Sequence, residues 1–212
     1  MRTDEQLRRD LAKLQKQKCV AFACACAEHV LPIYEKHFEI LSNRQQLASS
    51  TNVRSTLELI WRCAFGEEVS STELESADAA SSAAIPRIDV DQSVEAEMSM
   101  AASVGVLEAL DATKSDGAGA AERASSNALK AIMVACYIKN PHLPQDIDPI
   151  PLIASGKLNA QPEWEPLVHE FEVQNTQLDE LLHLSSNAYV TAEWKSHHLM
   201  HGILLLKKLG WD

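Results

Sequence analysis

The sequence predicts an all-α fold, a single domain over residues 1–212 built as a multi-helix bundle of about seven to nine helices. Three observations predict it. Ala (28) and Leu (25) far outnumber Val (12), Ile (11) and Thr (7), a ratio that favours helix over strand. Gly (7) and Pro (8) are too few for the turns that many short strands need. Apolar residues recur three and four apart through most of the chain, the period of a helix with one buried face.

Asp4 to Gln15 carries Leu7, Leu11 and Leu14 on one face. Lys16 to His29 continues with Cys19, Phe22, Ala23, Cys26 and Val30 as an apolar stripe. Pro32 then interrupts, either kinking that helix or opening a new one in its first turn. Ile33 to Leu41 completes the arm, and the polar stretch Ser42 to Ser50 reads as a loop. Thr51 or Asn52 caps the next helix, whose inner stripe is Val53, Leu57, Ile60, Trp61 and Ala64 and whose stop is Gly66. Ser71-Thr72 precede an Ala-rich helix to about Ala84, ended by Ile85-Pro86 because the residue before proline avoids helical angles. Asp91 caps a longer helix to about Thr113. Its middle, Met98 to Leu110, is apolar on nearly all sides and belongs at the centre of a bundle. After a turn at Ser115-Asp116-Gly117, the segment Ala118 to Lys139 places Leu129, Ile132, Met133, Cys136 and Tyr137 on one stripe. Residues 140–162 hold five of the eight prolines and form an irregular crossing segment, with room for a short helix near Leu152 to Lys157. Glu163 to Leu184 and a last helix from its cap at Thr191 to Leu209 complete the chain, with Gly210 as the final stop. Ile88 to Val90 is the only strand candidate, too short to build a sheet.

The formal charge is −11, which argues against DNA or RNA as the main ligand, since phosphates need Lys and Arg. The charge is also clustered. Between Glu67 and Glu97 stand nine acids and one base, Arg87; between Gln145 and Leu184 stand eight acids, Asp146 among them, and one base, Lys157. Residues 1–54 carry nine bases and six acids. Such clusters fit a basic protein partner with steered association, or, taken singly, solvated faces and helix starts that favour acids. The densely charged start and the shortness of the longest apolar run, Cys19 to Ala27, predict no secretory signal and no membrane span. Five Cys with no C-x-x-C pair predict a reduced, cytoplasmic protein without a disulfide scaffold.

No catalytic motif rises from the residues. Glu193, His197 and His201 share a helix face, with His198 beside them, but the Glu of an H-E-x-x-H helix is missing. Glu180 and His183 form a single Glu-x-x-His, where di-iron bundles need two. Cys19, Cys24, Cys26, Cys63 and Cys136 lie on apolar stripes and read as core. Glu28-His29 with Glu35 could form an acid–base set, but no phosphate loop or oxyanion turn accompanies it. Trp61 and Trp164 read as core; Trp211 either anchors a partner or folds back.

Leu11-x-x-Leu14, the run Cys19 to His29 and Pro32-x-Tyr34-x-x-x-Phe38 resemble the start of the YjaG-like domain-of-unknown-function family. Leu57-x-Leu59-Ile60-Trp61, Ile85-Pro86 and Glu170-Phe171-Glu172-Val173-Gln174 follow in the same order, while Ser103 stands where that family tends to carry an acid. The run Cys26 to Glu35 is also similar to the opening of all-helical immunity proteins of bacterial polymorphic toxin systems. Both resemblances imply an all-α bundle without an established enzymatic role. The second implies a cytoplasmic protein that blocks a toxin delivered by a secretion system, such as a type VI effector. The expected function is therefore an immunity protein, not an enzyme, with no cofactor and no metal. It would neutralise a basic effector, a nuclease in the sharpest form, through Glu67, Glu68, Glu73, Glu75, Asp78, Asp89 and Asp91. Asp146 to Glu172 is the alternative face, and a homodimer is compatible with the sequence. The rival readings are a metal-binding bundle or enzyme using Glu193, His197, His198 and His201, or a housekeeping helical protein.

Overall fold

The structure, a computed structural model, describes residues 2–115, 117–144, 147–158, 160–185 and 188–211. Nine α-helices and no strand occur among the described residues. In chain order they are α1 (Asp4–Leu11), α2 (Lys16–Gln45), α3 (Ser50–Ala64), α4 (Ser71–Ser82), α5 (Val94–Lys114), α6 (Gly117–Lys139), α7 (Pro149–Ala154), α8 (Glu165–His183) and α9 (Ala192–Lys208). A short 3-10 turn, Pro162–Trp164, leads into α8.

The helix buried on every side is α2. Every residue from Lys18 to Tyr34 is buried, so the polar-free run Cys19 to Ala27 marks the central helix and not merely one with an apolar stripe. α5 and α6 pack on it and on each other, and α3, α8 and α9 close the ring. The facing residues are small: Ala21, Ala23, Ala25 and Ala27 on α2, Ala101, Ala102 and Ala109 on α5, Ala120, Ala124, Ala128 and Ala131 on α6. Small facing side chains let helix axes approach closely and fill the space between them without voids. Trp61, Tyr34 and Phe22 supply the bulk. Lys18 is buried because its ammonium caps the end of α8, donating to Leu184 O at 2.8 Å and Ser185 O at 3.0 Å.

Pro32 neither ends α2 nor opens a new helix; the helix runs 30 residues through it. Proline has no N–H, so Glu28 O, four residues back, loses its helical donor. α9 crosses at that point. A Cβ on Gly202 would stand 2.7 Å from Glu28 O and 3.1 Å from His29 O. The interruption is therefore covered by a neighbouring helix that only glycine lets in.

Other boundaries move by local chemistry. Ser42 to Gln45 belong to α2, which stops at Gln46 with φ 54, so the predicted loop shortens. Ser49, not Thr51 or Asn52, caps α3; its side chain accepts from Thr51 N. Ser93, not Asp91, caps α5, while Asp91 Oδ1 accepts from Ser93 N at 3.0 Å. Ser70 and Glu73 form a capping box that starts α4. Thr191 caps α9 as its sequence position suggests, and Gly66 and Gly210 adopt φ 83 and φ 69 at helix ends. In the Pro-rich crossing segment the short helix is α7, begun by Asp148 and Pro149, earlier than the predicted Leu152 to Lys157. Trp211 folds back, with its ring edge-on to His37 at 5.3 Å.

Candidate functional site

Two polar regions stand out: a buried network that crosses the bundle, and an acidic cleft at its surface. The network begins on α2, where Glu28 and His29 point to opposite sides. Glu28 faces α3. It accepts from Trp61 Nε1 at 3.0 Å and from Arg54 Nη1, and Arg54 also grips Glu35 at 2.9 and 3.0 Å. The suspected Glu28/Glu35 acid–base set is thus a clamp on one guanidinium.

His29 faces α8 and α9. Its Nδ1 lies 2.9 Å from Glu170 Oε1, which also accepts from Gln174 Nε2 at 2.8 Å; Gln174 Oε1 in turn accepts from Ser125 at 2.6 Å. Gln177 Nε2 lies 3.0 Å from His29 Nε2 and 2.9 Å from His198 Nδ1. One amide carries two hydrogens, so it donates to both rings and both ring atoms accept. That assigns the proton of His29 to Nδ1, where it is donated to Glu170, and the proton of His198 to Nε2. The two accepting nitrogens then face each other 3.2 Å apart. Gln177 Oε1 and His198 Nε2 are buried without a hydrogen-bond partner. Burial first, and His29, His197 and His201 after it, pull His198 down to about 2. Burial, with His29 and other neighbours, pulls His201 down to about 4.

This predicts acid sensitivity. The unfolded chain protonates His198 near its ordinary value of 6.5, whereas the folded chain resists until about 2. The unfolded state binds more protons throughout that window, so stability present above it is lost as pH falls. Denaturation midpoints measured between about pH 6.5 and 4.5 should report a loss of roughly 2–3 kcal/mol from this residue. The slope should flatten in His198→Gln; equal slopes in both proteins would contradict the assignment.

His197 is exposed and His169 and His201 are partly buried, leading from the surface to His29 and His198. The rings of His201 and His29 lie 5.1 Å apart and those of His201 and His169 5.0 Å apart. Glu193, the fourth member of the suspected cluster, is exposed, and His198 turns inward. Among the described residues no group of three or more His, Cys, Asp or Glu is placed to hold a metal ion. Glu180 instead accepts from Trp194 Nε1 at 2.9 Å, and His183 Nδ1 donates to Asp179 O at 2.6 Å. The thiols of Cys24 and Cys26 are pushed well up by burial, and that of Cys136 to about 12. None is poised as a thiolate. Glu170, Gln174 and Gln177 are the functional-looking residues that periodicity alone passes over. Their signal is a polar line, Glu-x-x-x-Gln-x-x-Gln, running among the apolar positions Leu167, Phe171, Leu178 and Leu181.

The seven acids proposed for a partner lie on α4 and the loops flanking it. Glu67 and Glu73 share Arg62, at 2.9 and 3.6 Å. Asp78 meets Lys114 at 2.5 Å, Asp89 meets Arg87 at 2.6 Å and Asp91 meets Arg44 at 3.3 Å. Glu68 and Glu75 are exposed and join no ion pair among the described residues. On the alternative face, Asp148 caps α7, Glu163 lies 4.0 Å from His142, Glu165 pairs with Lys208 and Glu170 is buried; Asp146 lies outside the described residues. Three of the seven, Glu67, Glu68 and Glu73, line one cleft of about 710 Å³ where α2, the end of α3 and the start of α4 meet. Lys16 stands across it, and Tyr189, 53% exposed, lies over Gly66 at its edge.

Fold and site together define an all-helical bundle wrapped around one buried helix, with a histidine network whose inner pair is buried and an acidic surface cleft. No family model matches the sequence, and no curated protein matches it. Among solved structures, the fold is similar to that of a DUF416 family protein from Shewanella baltica. The TM-score is 0.67 at 19% identity, over 93% of each chain. That similarity establishes the fold. No helix of the described residues is long and apolar enough to cross a membrane.

Proposed function

We propose that the protein works by binding another protein, as an immunity protein that neutralises a basic effector toxin, and that the cleft lined by Glu67, Glu68 and Glu73 receives it. The observation that carries the reading is the pairing of those carboxylates with the exposed ring of Tyr189 in one concave surface. A guanidinium entering there finds a ring face to stack on and carboxylates to accept its N–H groups. Tyrosine is enriched among the residues that dominate interface energy, and here it rims a concave surface. Glu68, without an ion pair among the described residues, offers its charge at no cost in broken contacts. Binding is favoured over covalent chemistry because four thiols are buried, burial also pushes up the thiol of the half-buried Cys63 at the cleft, and the His29–His198 pair is 0% and 1% exposed. The buried pair holds α2, α8 and α9 in register and is closed to substrate.

The test is calorimetric titration of the product of the neighbouring gene into wild type and into the double variant Glu67→Lys/Glu68→Lys. Reversal of two charges in a partner's pocket should weaken binding by about 100-fold or more, and Asp89→Lys, outside the cleft, by only a few-fold. Equal binding by wild type and double variant, or none by either, would overturn the proposal.

A further inference from the structure

We propose that two copies of the chain pair through the outer face of α9, antiparallel about Met200. The inner face of this helix, His198, Gly202 and Leu205, is buried. A helix lying on a bundle ordinarily shows water a polar outer face. Here the outer face presents Leu199 (38% exposed), Met200 (55%), Ile203 (39%) and Leu204 (46%) on two successive turns. Glu193, Met200 and Lys207 are all exposed and follow one another at seven-residue spacing, so they lie along one line of the helix. Lys195 pairs with Glu58 and Lys208 with Glu165, whereas Glu193 and Lys207 join no ion pair among the described residues.

That pattern is complementary to itself in one orientation. Turned antiparallel about Met200, a second α9 brings its Lys207 opposite Glu193 and its Glu193 opposite Lys207, with the apolar side chains between. A parallel pairing would set Glu against Glu and Lys against Lys. The helix dipole explains an acid at the start and a base at the end. It does not explain four exposed apolar side chains between them. Because the contact is isologous, each substitution enters it twice. The helix is about 25 Å long, so the pair lies at the smaller end of specific interfaces and its dimer should be concentration-dependent.

Sedimentation equilibrium of the whole protein over concentrations up to about 1 mM tests this. The expected result is a monomer–dimer equilibrium whose dissociation constant rises by at least about 100-fold in Met200→Glu and in Leu204→Glu. Glu193→Lys and Lys207→Glu should each weaken the dimer, and the two together should restore it. Helical circular dichroism of these outward-facing variants should match wild type. A monomer at every concentration overturns the proposal, as does a dimer indifferent to Met200→Glu and Leu204→Glu. Loss of dimer in those variants without restoration by the charge swap overturns the antiparallel pairing. The interface shares no residue with the acidic cleft, so loss of one leaves the other standing.

Discussion

Gly202→Val should lower stability by about 3–5 kcal/mol, which is roughly 10 °C or more in melting temperature for a chain of this size. The reason is where the new carbons go. A Cβ at 202 would lie 2.7 Å from Glu28 O, 3.1 Å from His29 O and 3.3 Å from His29 Cα. All three are backbone atoms of the central helix, and no rotamer change relieves the contact. α9 must lift from α2, and lifting it pulls His198 away from Gln177 and His29. Helix propensity works the other way, since Gly costs about 1 kcal/mol relative to Ala inside a helix. Gly202→Ala should therefore fall between wild type and valine. Thermal unfolding followed by circular dichroism gives the ranking, and a valine variant as stable as wild type would remove Gly202 from the account.

The second large effect is expected at Arg54. Glu28 is fully buried, and its partners are Arg54 and Trp61 Nε1. Arg54→Met leaves that carboxylate with one neutral donor in a low-dielectric interior. Breaking a buried pair from one side costs about 3–5 kcal/mol. Glu35→Ala touches the same guanidinium from its exposed side and should cost less than about 1 kcal/mol. Adding Glu28→Gln to Arg54→Met should recover most of the loss, because an amide needs no counter-charge and still accepts from Trp61. Urea denaturation of wild type, Arg54→Met, Glu28→Gln and the double variant closes a double-mutant cycle. A coupling energy near zero would show that the pair is not the unit described here.

What the sequence made legible was local. Thr191, Gly66, Gly210 and Pro86 act on their own turns through caps, positive φ and steric exclusion, and each sits where its chemistry placed it. The stripe through Leu57, Ile60 and Trp61 is buried as its spacing requires. What was not legible depends on partners far along the chain. Pro32 is carried through α2 by packing that includes a glycine 170 residues away. His29 and Glu170 are 141 residues apart, and nothing near either one announces the other. The acidic span shows the same limit. Arg87 meets Asp89 two residues on, but Arg44 and Lys114 reach Asp91 and Asp78 from other helices, so a count along the chain overstates the bare charge of that surface. The polar line on α8 was visible in the sequence; its meaning came only with the rings it faces.

If the exposed carboxylates of the cleft draw in a basic protein, as proposed, the association rate carries the signature. Stopped-flow mixing with the neighbouring gene's product should show a rate that falls by about ten-fold or more between roughly 0.02 and 0.2 M salt, with the dependence weakened in Glu67→Lys/Glu68→Lys. A rate indifferent to salt, and the same in wild type and variant, would rule out electrostatic capture at the cleft.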